Sequence, residues 1–162
     1  MIATTPEDTR ALGARLATLL RPGDLVILSG PLGAGKTAFA QGVGAGLNVL
    51  GDVTSPTFVI ARVHRPDPAR GGVTPMVHVD AYRLGTVTDP RAEIADLDLD
   101  ASVDDSVTLV EWGEGLVEQL SDSYLEVRID RLPDDTRVIE LIGHHGAWPD
   151  RLTAWQPAPA AA

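Results

Sequence analysis

Cysteine is absent from this 162-residue chain, which excludes a disulfide framework and any thiolate metal site. Lysine is nearly absent: of the 13 basic Lys and Arg side chains, only Lys36 is a lysine. No apolar run approaches the roughly 18 residues of a membrane span. The opening "MIATTPEDTR" lacks the basic-then-apolar layout of a secretory signal. A cytoplasmic protein without membrane contact is the expectation. Positive charge is also short, with 13 basic against 23 acidic residues and a formal net charge of −10. An autonomous nucleic-acid binder needs a basic footprint to displace counterions from phosphates. The densest cluster here, Arg62, His64, Arg65 and Arg70, is modest. Direct binding of DNA is not expected, and a role on RNA would run through another protein.

What remains is an ordinary globular composition, 44% hydrophobic and long enough for one domain with a real core. Thr5 as cap, Pro6 in the first turn and Glu7 and Asp8 beside the dipole predict a helix from about Thr5 to Leu20. "DLVILSG" reads as a buried strand, and a second helix follows over about Lys36 to Leu47. Its glycines at 42, 44 and 46 each cost up to about 1 kcal/mol of propensity, which predicts a short or frayed far end.

Residues 66–75 read as an exposed turn or disordered loop. "MVHVDAY" and "SVTLVEW" are buried strands, each ending in a carboxylate. "DPRAEIADLDLD" and "GEGLVEQL" read as helices. "YLEVRID" and "RVIELIG" flank a polar turn at Pro133-Asp134-Asp135 and predict an antiparallel hairpin. The alternation predicts an α/β fold: a single phosphate-loop domain over 1–146 with a mixed, partly parallel sheet flanked by helices. Residues 147–162 read as a loose, low-complexity tail.

The chemistry is concentrated in "GPLGAGKT", residues 30–37, a full match to G-x-x-x-x-G-K-[ST] between a strand and a helix. Glycines at 30, 33 and 35 allow backbone N–H groups to turn inward around phosphate oxygens, beside the positive end of the helix. Lys36 would then meet the β- and γ-phosphates, and the Thr37 hydroxyl would ligate Mg²⁺. A second metal acid belongs at the end of a neighbouring apolar strand. Asp80 and Glu111 both qualify, and the pattern does not choose between them.

Guanine-selective proteins commonly use an N-K-x-D or T-K-x-D loop. With Lys36 as the only lysine none can exist, so ATP is the expected nucleotide. "TSPTF" (54–58) lies where switch segments lie, with Thr57 or Ser55 placed to sense a γ-phosphate. Around Asp80, His78 reads as a structural histidine, and Arg83 as a phosphate neutraliser or a partner for one of many acids. Trp112, which follows Glu111, reads as a core or lip aromatic.

Together "GPLGAGKT", "TSPTF", "HVDAYRL" and "LVEWGEGL" resemble, in order and spacing, the bacterial TsaE (YjeE) family over about Thr5 to Ile142. The resemblance implies a small ATPase needed to make threonylcarbamoyladenosine in tRNAs that read codons beginning with adenine. It implies that Leu32, Gly33, Ala34, Gly35, Lys36 and Thr37 hold ATP, and that Thr37 and Glu111 hold Mg²⁺. Asp80 becomes a second functional acid, orienting water or a switch. Pro6 to Thr9 and Asp134 to Thr136 fall where the family contacts nucleotide. The implied partners are the TsaB and TsaD proteins, with tRNA reached only indirectly through their complex. A small-molecule kinase and a nucleotide-dependent binding module with negligible turnover are the alternatives.

Overall fold

Residues 1–54, 61–80, 103–111 and 121–155 are described by the structure, a computed structural model. Strand β1 is Ile2–Ala3, and helix α1 is Pro6–Ala17. The start of α1 is fixed by a reciprocal cap. The Thr5 hydroxyl accepts from the Asp8 N–H at 3.0 Å, while the Asp8 carboxylate accepts the Thr4 and Thr5 N–H groups at 2.9 and 3.0 Å. The helix stops before Leu20 because the N–H groups of Thr18, Leu19 and Leu20 turn to carbonyls three residues back, tightening the last turn.

Strand β2 (Leu25–Ser29) leads into the glycine loop and helix α2 (Lys36–Gly46). Strands β3 (Ala61–His64), β4 (Met76–Asp80), β5 (Val107–Glu111), β6 (Tyr124–Arg131) and β7 (Arg137–His144) follow, then helix α3 (Trp148–Ala154). Among the described residues these form one seven-stranded sheet in the order β1-β7-β6-β2-β5-β4-β3. Strands β6, β2, β5 and β4 run parallel, whereas β3 and β7 are antiparallel to their neighbours. This is the mixed, partly parallel sheet the alternation implied, and β6–β7 is the expected hairpin. The predicted helices at 89–100 and 113–120 fall outside the described residues.

One face of the sheet carries the core. Val26 and Leu28 of β2, Val107 and Leu109 of β5, Met76 of β4 and Leu125, Val127 and Ile129 of β6 are buried with Leu12 and Leu16 of α1 and Phe39, Ala40 and Val43 of α2. Burying each large aliphatic side chain contributes about 1.5–3 kcal/mol.

Two expectations are corrected. The far end of α2 is not frayed; Gly42 and Gly46 are where it touches α1. A Cβ on Gly42 would stand 2.0 Å from the Arg10 carbonyl oxygen, and one on Gly46 would stand 2.6 Å from that of Ala14. Gly13 reciprocates against the Phe39 carbonyl at 2.3 Å. Helix propensity is outweighed by backbone proximity.

The segment from 147 onward is not loose over Trp148–Ala154. Trp148 is buried in the core, and the Arg151 guanidinium grips Asp24 through both carboxylate oxygens at 2.9 and 2.7 Å. It also donates to the Leu19 carbonyl at 2.6 Å and lies 4.0 Å from the Trp148 ring centroid. Residues 66–75 do form an exposed turn, but an ordered one. Asp67 caps a 3₁₀ turn over Pro68–Arg70 and pairs with Arg70, which ties back to the Val49 carbonyl at 2.7 Å.

Replacing Gly42 with alanine improves helix propensity yet drives a methyl into the α1 backbone. The overpacking prevails, with a net loss of about 1–2 kcal/mol and a lowered melting temperature. Thermal denaturation of the variant checks this, and a raised midpoint would show that the helices separate without cost.

Candidate functional site

The end of β2 and the start of α2 are joined by a loop whose backbone favours glycine at three points. Gly30 has φ +148°, Gly33 has φ +78° and Gly35, the residue capping α2, has φ +107°. Among the described residues no side chain caps α2. Lys36 is buried and arches back over the loop, its Nζ donating to the carbonyls of Gly30 at 2.6 Å and Pro31 at 3.1 Å. Thr37 is half-buried in the first turn of α2, Ala34 is buried, and Leu32 is exposed at the loop tip.

Arg137, the first residue of β7, was not singled out by sequence. Its Nε donates to the Ala34 carbonyl at 3.2 Å and its Nη2 to that of Gly33 at 3.3 Å, while Nη1 meets the Asp135 carbonyl. Asp135 turns the hairpin with φ +68° and accepts from Arg131 Nε at 2.7 Å. From the other side, Thr9 Cγ2 lies 3.7 Å from where a Gly35 Cβ would be, with Arg137 Nε at 3.9 Å. The start of α1, the glycine loop and Arg137, which follows the 132–136 turn, therefore converge at Gly35. Pro6 opens α1 and is exposed, one turn before Thr9. No spacing rule marks Arg137, because its partners are about a hundred positions away.

The two acids are brought together. Leu28 pairs with Glu111 across β2–β5, and Glu111 with Asp80 across β5–β4. Because register partners in a sheet share a face, Leu28, Glu111 and Asp80 form one row two residues short of Gly30. Both acids are buried, at 4% and 5% exposure, where an unpaired charge is costly. His78, lower on the same face, is fully buried with Nε2 3.7 Å from Glu111 Oε2.

The hydroxyl of Thr37 and the carboxylates of Glu111 and Asp80 are hard oxygen donors, the chemistry that suits Mg²⁺. Among the described residues no three His, Cys, Asp or Glu side chains gather as a metal cage. Ser55, Thr57, Tyr82, Arg83 and Trp112 lie outside the described residues.

On the opposite face, Ser29, the last residue before the loop, donates to Glu126 Oε1 at 2.9 Å, and Arg128 donates to the same oxygen at 3.1 Å. His144 meets Glu126 Oε2 at 3.0 Å and stacks on Tyr124. Burial pushes the Glu126 carboxyl up, but the hydrogen bonds from His144 and Ser29 and the Arg128 charge outweigh it, holding the group below its ordinary 4.5.

A mixed sheet with a glycine loop and a helix N-terminus at the carboxyl ends of its parallel strands defines an α/β protein. The pattern of the family described as threonylcarbamoyl adenosine biosynthesis protein TsaE matches residues 3–139. TsaE of Streptomyces coelicolor is 61% identical over 127 residues, covering 78% of this chain and 82% of that protein. TsaE of Mycobacterium tuberculosis is 52% identical over 141 residues, covering 84% and 83%. The crystal structure of Bacillus subtilis YdiB superposes with a TM-score of 0.72 at 30% identity, covering 95% of this chain and 90% of that one. The chain belongs to the TsaE family, whose role lies in the biosynthesis of threonylcarbamoyladenosine in tRNA.

Two measurements probe this geometry. Arg137→Ala frees the Gly33 and Ala34 carbonyls, so amide hydrogen exchange across 33–35 accelerates at least about tenfold while the strands of the sheet keep their protection. Uniform acceleration everywhere would mean general destabilisation instead. Because Glu126 titrates lower when folded than unfolded, its contribution is present above about pH 4.5 and lost as pH falls through the folded value. Melting curves from pH 7 down to 3 should therefore fall less steeply at the acid end for Glu126→Gln than for the wild type.

Proposed function

We propose that this chain binds Mg·ATP on residues 32–37, hydrolyses it, and uses the cycle to act on a TsaB–TsaD complex. The observation that carries the reading is the convergence of the glycine loop, the buried Lys36 and the Glu111–Asp80 row at one edge of the sheet.

Lys36 exchanges carbonyl partners for β- and γ-phosphate oxygens, a charge-assisted contact in a site of reduced dielectric. The glycine-loop N–H groups and the α2 N-terminus hold the phosphates. Thr37 and Glu111 hold Mg²⁺, which when bound neutralises charge on the phosphate oxygens. Asp80 orients the attacking water or a switch segment containing Thr57. The start of α1 at Pro6–Thr9 and the 132–136 turn face the rest of the nucleotide. ATP rather than GTP follows from the lone lysine, which leaves no N-K-x-D loop.

The net charge of −10 supports an accessory that leaves tRNA to its partners. A cytoplasmic location goes with that role, and among the described residues no helix is long and apolar enough to cross a membrane.

An accessory site of this kind lacks part of its transition-state stabilisation until a partner completes it. Phosphate release by the isolated chain should be slow and rise at least about tenfold, or about 1.4 kcal/mol, when TsaB and TsaD are added. Lys36→Ala should abolish release in both conditions while circular dichroism shows the fold intact. Thr57→Ala should lose partner stimulation more than basal ATP binding. Equal wild-type rates with and without partners would overturn the coupling.

A further inference from the structure

His78 stands out among the buried polar residues. It lies in the middle of β4, fully buried, and among the described residues neither ring nitrogen has a hydrogen-bond partner. Buried imidazoles are ordinarily satisfied, because a desolvated donor or acceptor left alone is costly. Its register partners are Leu109 on β5 and Arg62 on β3, and on its own face of β4 Met76 precedes it and Asp80 follows. Among the described residues its Nε2 pairs with the Glu111 carboxylate, with Oε2 at 3.7 Å and a side chain only 5% exposed. A shift of well under an ångström brings an Nε2–H into hydrogen-bond range.

We infer that His78 is the positioning residue for Glu111. Its Nε2–H donates to Oε2, fixes the rotation of the carboxylate and leaves Oε1 to face a divalent cation. A carboxylate anchored from behind loses less freedom on taking up a metal, and such anchoring commonly changes metal affinity 10–100-fold. The inference rests on the proposed role of Glu111 as the Mg²⁺ acid.

The test is Mg²⁺ titration of fluorescent ATP-analogue binding to the full chain, alongside binding of the same analogue in EDTA and a melting curve. His78→Leu should raise the half-maximal Mg²⁺ concentration about tenfold while metal-free nucleotide affinity stays within about twofold. His78→Gln, which can place an amide N–H near the same point, should recover most of the loss. In a Glu111→Gln background, His78→Leu should add nothing further.

An unchanged Mg²⁺ requirement in His78→Leu, with the wild type responding normally, overturns the positioning role alone. So does a Gln variant as impaired as the Leu variant, or an equal loss of metal-free binding, since either points to packing. A wild-type protein that binds the analogue equally with and without Mg²⁺ overturns the metal role of Glu111, and this inference with it.

Discussion

The parallel register of β2, β5 and β4 is the constraint on which the rest of the molecule depends. Side chains alternate across a strand, so slipping β5 by one residue would exchange Glu111 for Val110 on the face that carries Leu28 and Asp80. The same slip would turn Val107 and Leu109 out of the core beneath α1 and α2. Packing of the lower rows therefore decides where the acids stand in the upper row. The positions of the acids follow from apolar contacts far more than from any attraction between the acids, which as like charges repel.

A second constraint acts on the loop. With α1 and α2 pressed together at Gly13, Gly42 and Gly46, the axis of α2 is set by backbone contact rather than by adjustable side chains. Its N-terminus at Gly35 then points where the sheet ends. Arg137 completes the arrangement from across the sheet by holding the Gly33 and Ala34 carbonyls outward. Peptide units are planar, so anchoring these carbonyls also fixes which way the N–H groups of the same peptides point. A loop rich in glycine would otherwise sample many conformations, and this bracing limits them before any ligand arrives.

What the sequence made legible were features whose causes are local. The Thr5–Asp8 cap, the strand feeding Gly30–Thr37, the hairpin around Pro133–Asp135 and the two strand-end acids each carry their signal within a few residues. The glycines of α2 misled because propensity describes an isolated helix, while their role lies in a helix 30 residues earlier. Helix α3 was obscured by its setting: the alanine- and proline-rich stretch after it dominates the composition, while Arg151 finds Asp24 only in three dimensions. Arg137 gave no signal for the same reason. His78 could be assigned to a face by alternation, but nothing in "HVDAY" says that its nitrogens would lie beside Glu111 with no hydrogen-bond partner among the described residues.

Membership of a family in tRNA threonylcarbamoyladenosine biosynthesis goes with a net charge of −10, and the ion pairs show where much of the positive charge is spent. Binding a polyanion is driven by releasing its counterions to free protein cations. Arg10 pairs with Glu7, Arg70 with Asp67, Arg128 with Glu126 and Glu140, Arg131 with Asp135, and Arg151 with Asp24. Arg137 is committed to loop carbonyls, and Lys36 to the site itself. Bringing any of these cations to a phosphate backbone would first break a contact that holds a turn, a helix or the loop in place. The surplus acids would add repulsion over a Debye length of about 8 Å at physiological salt.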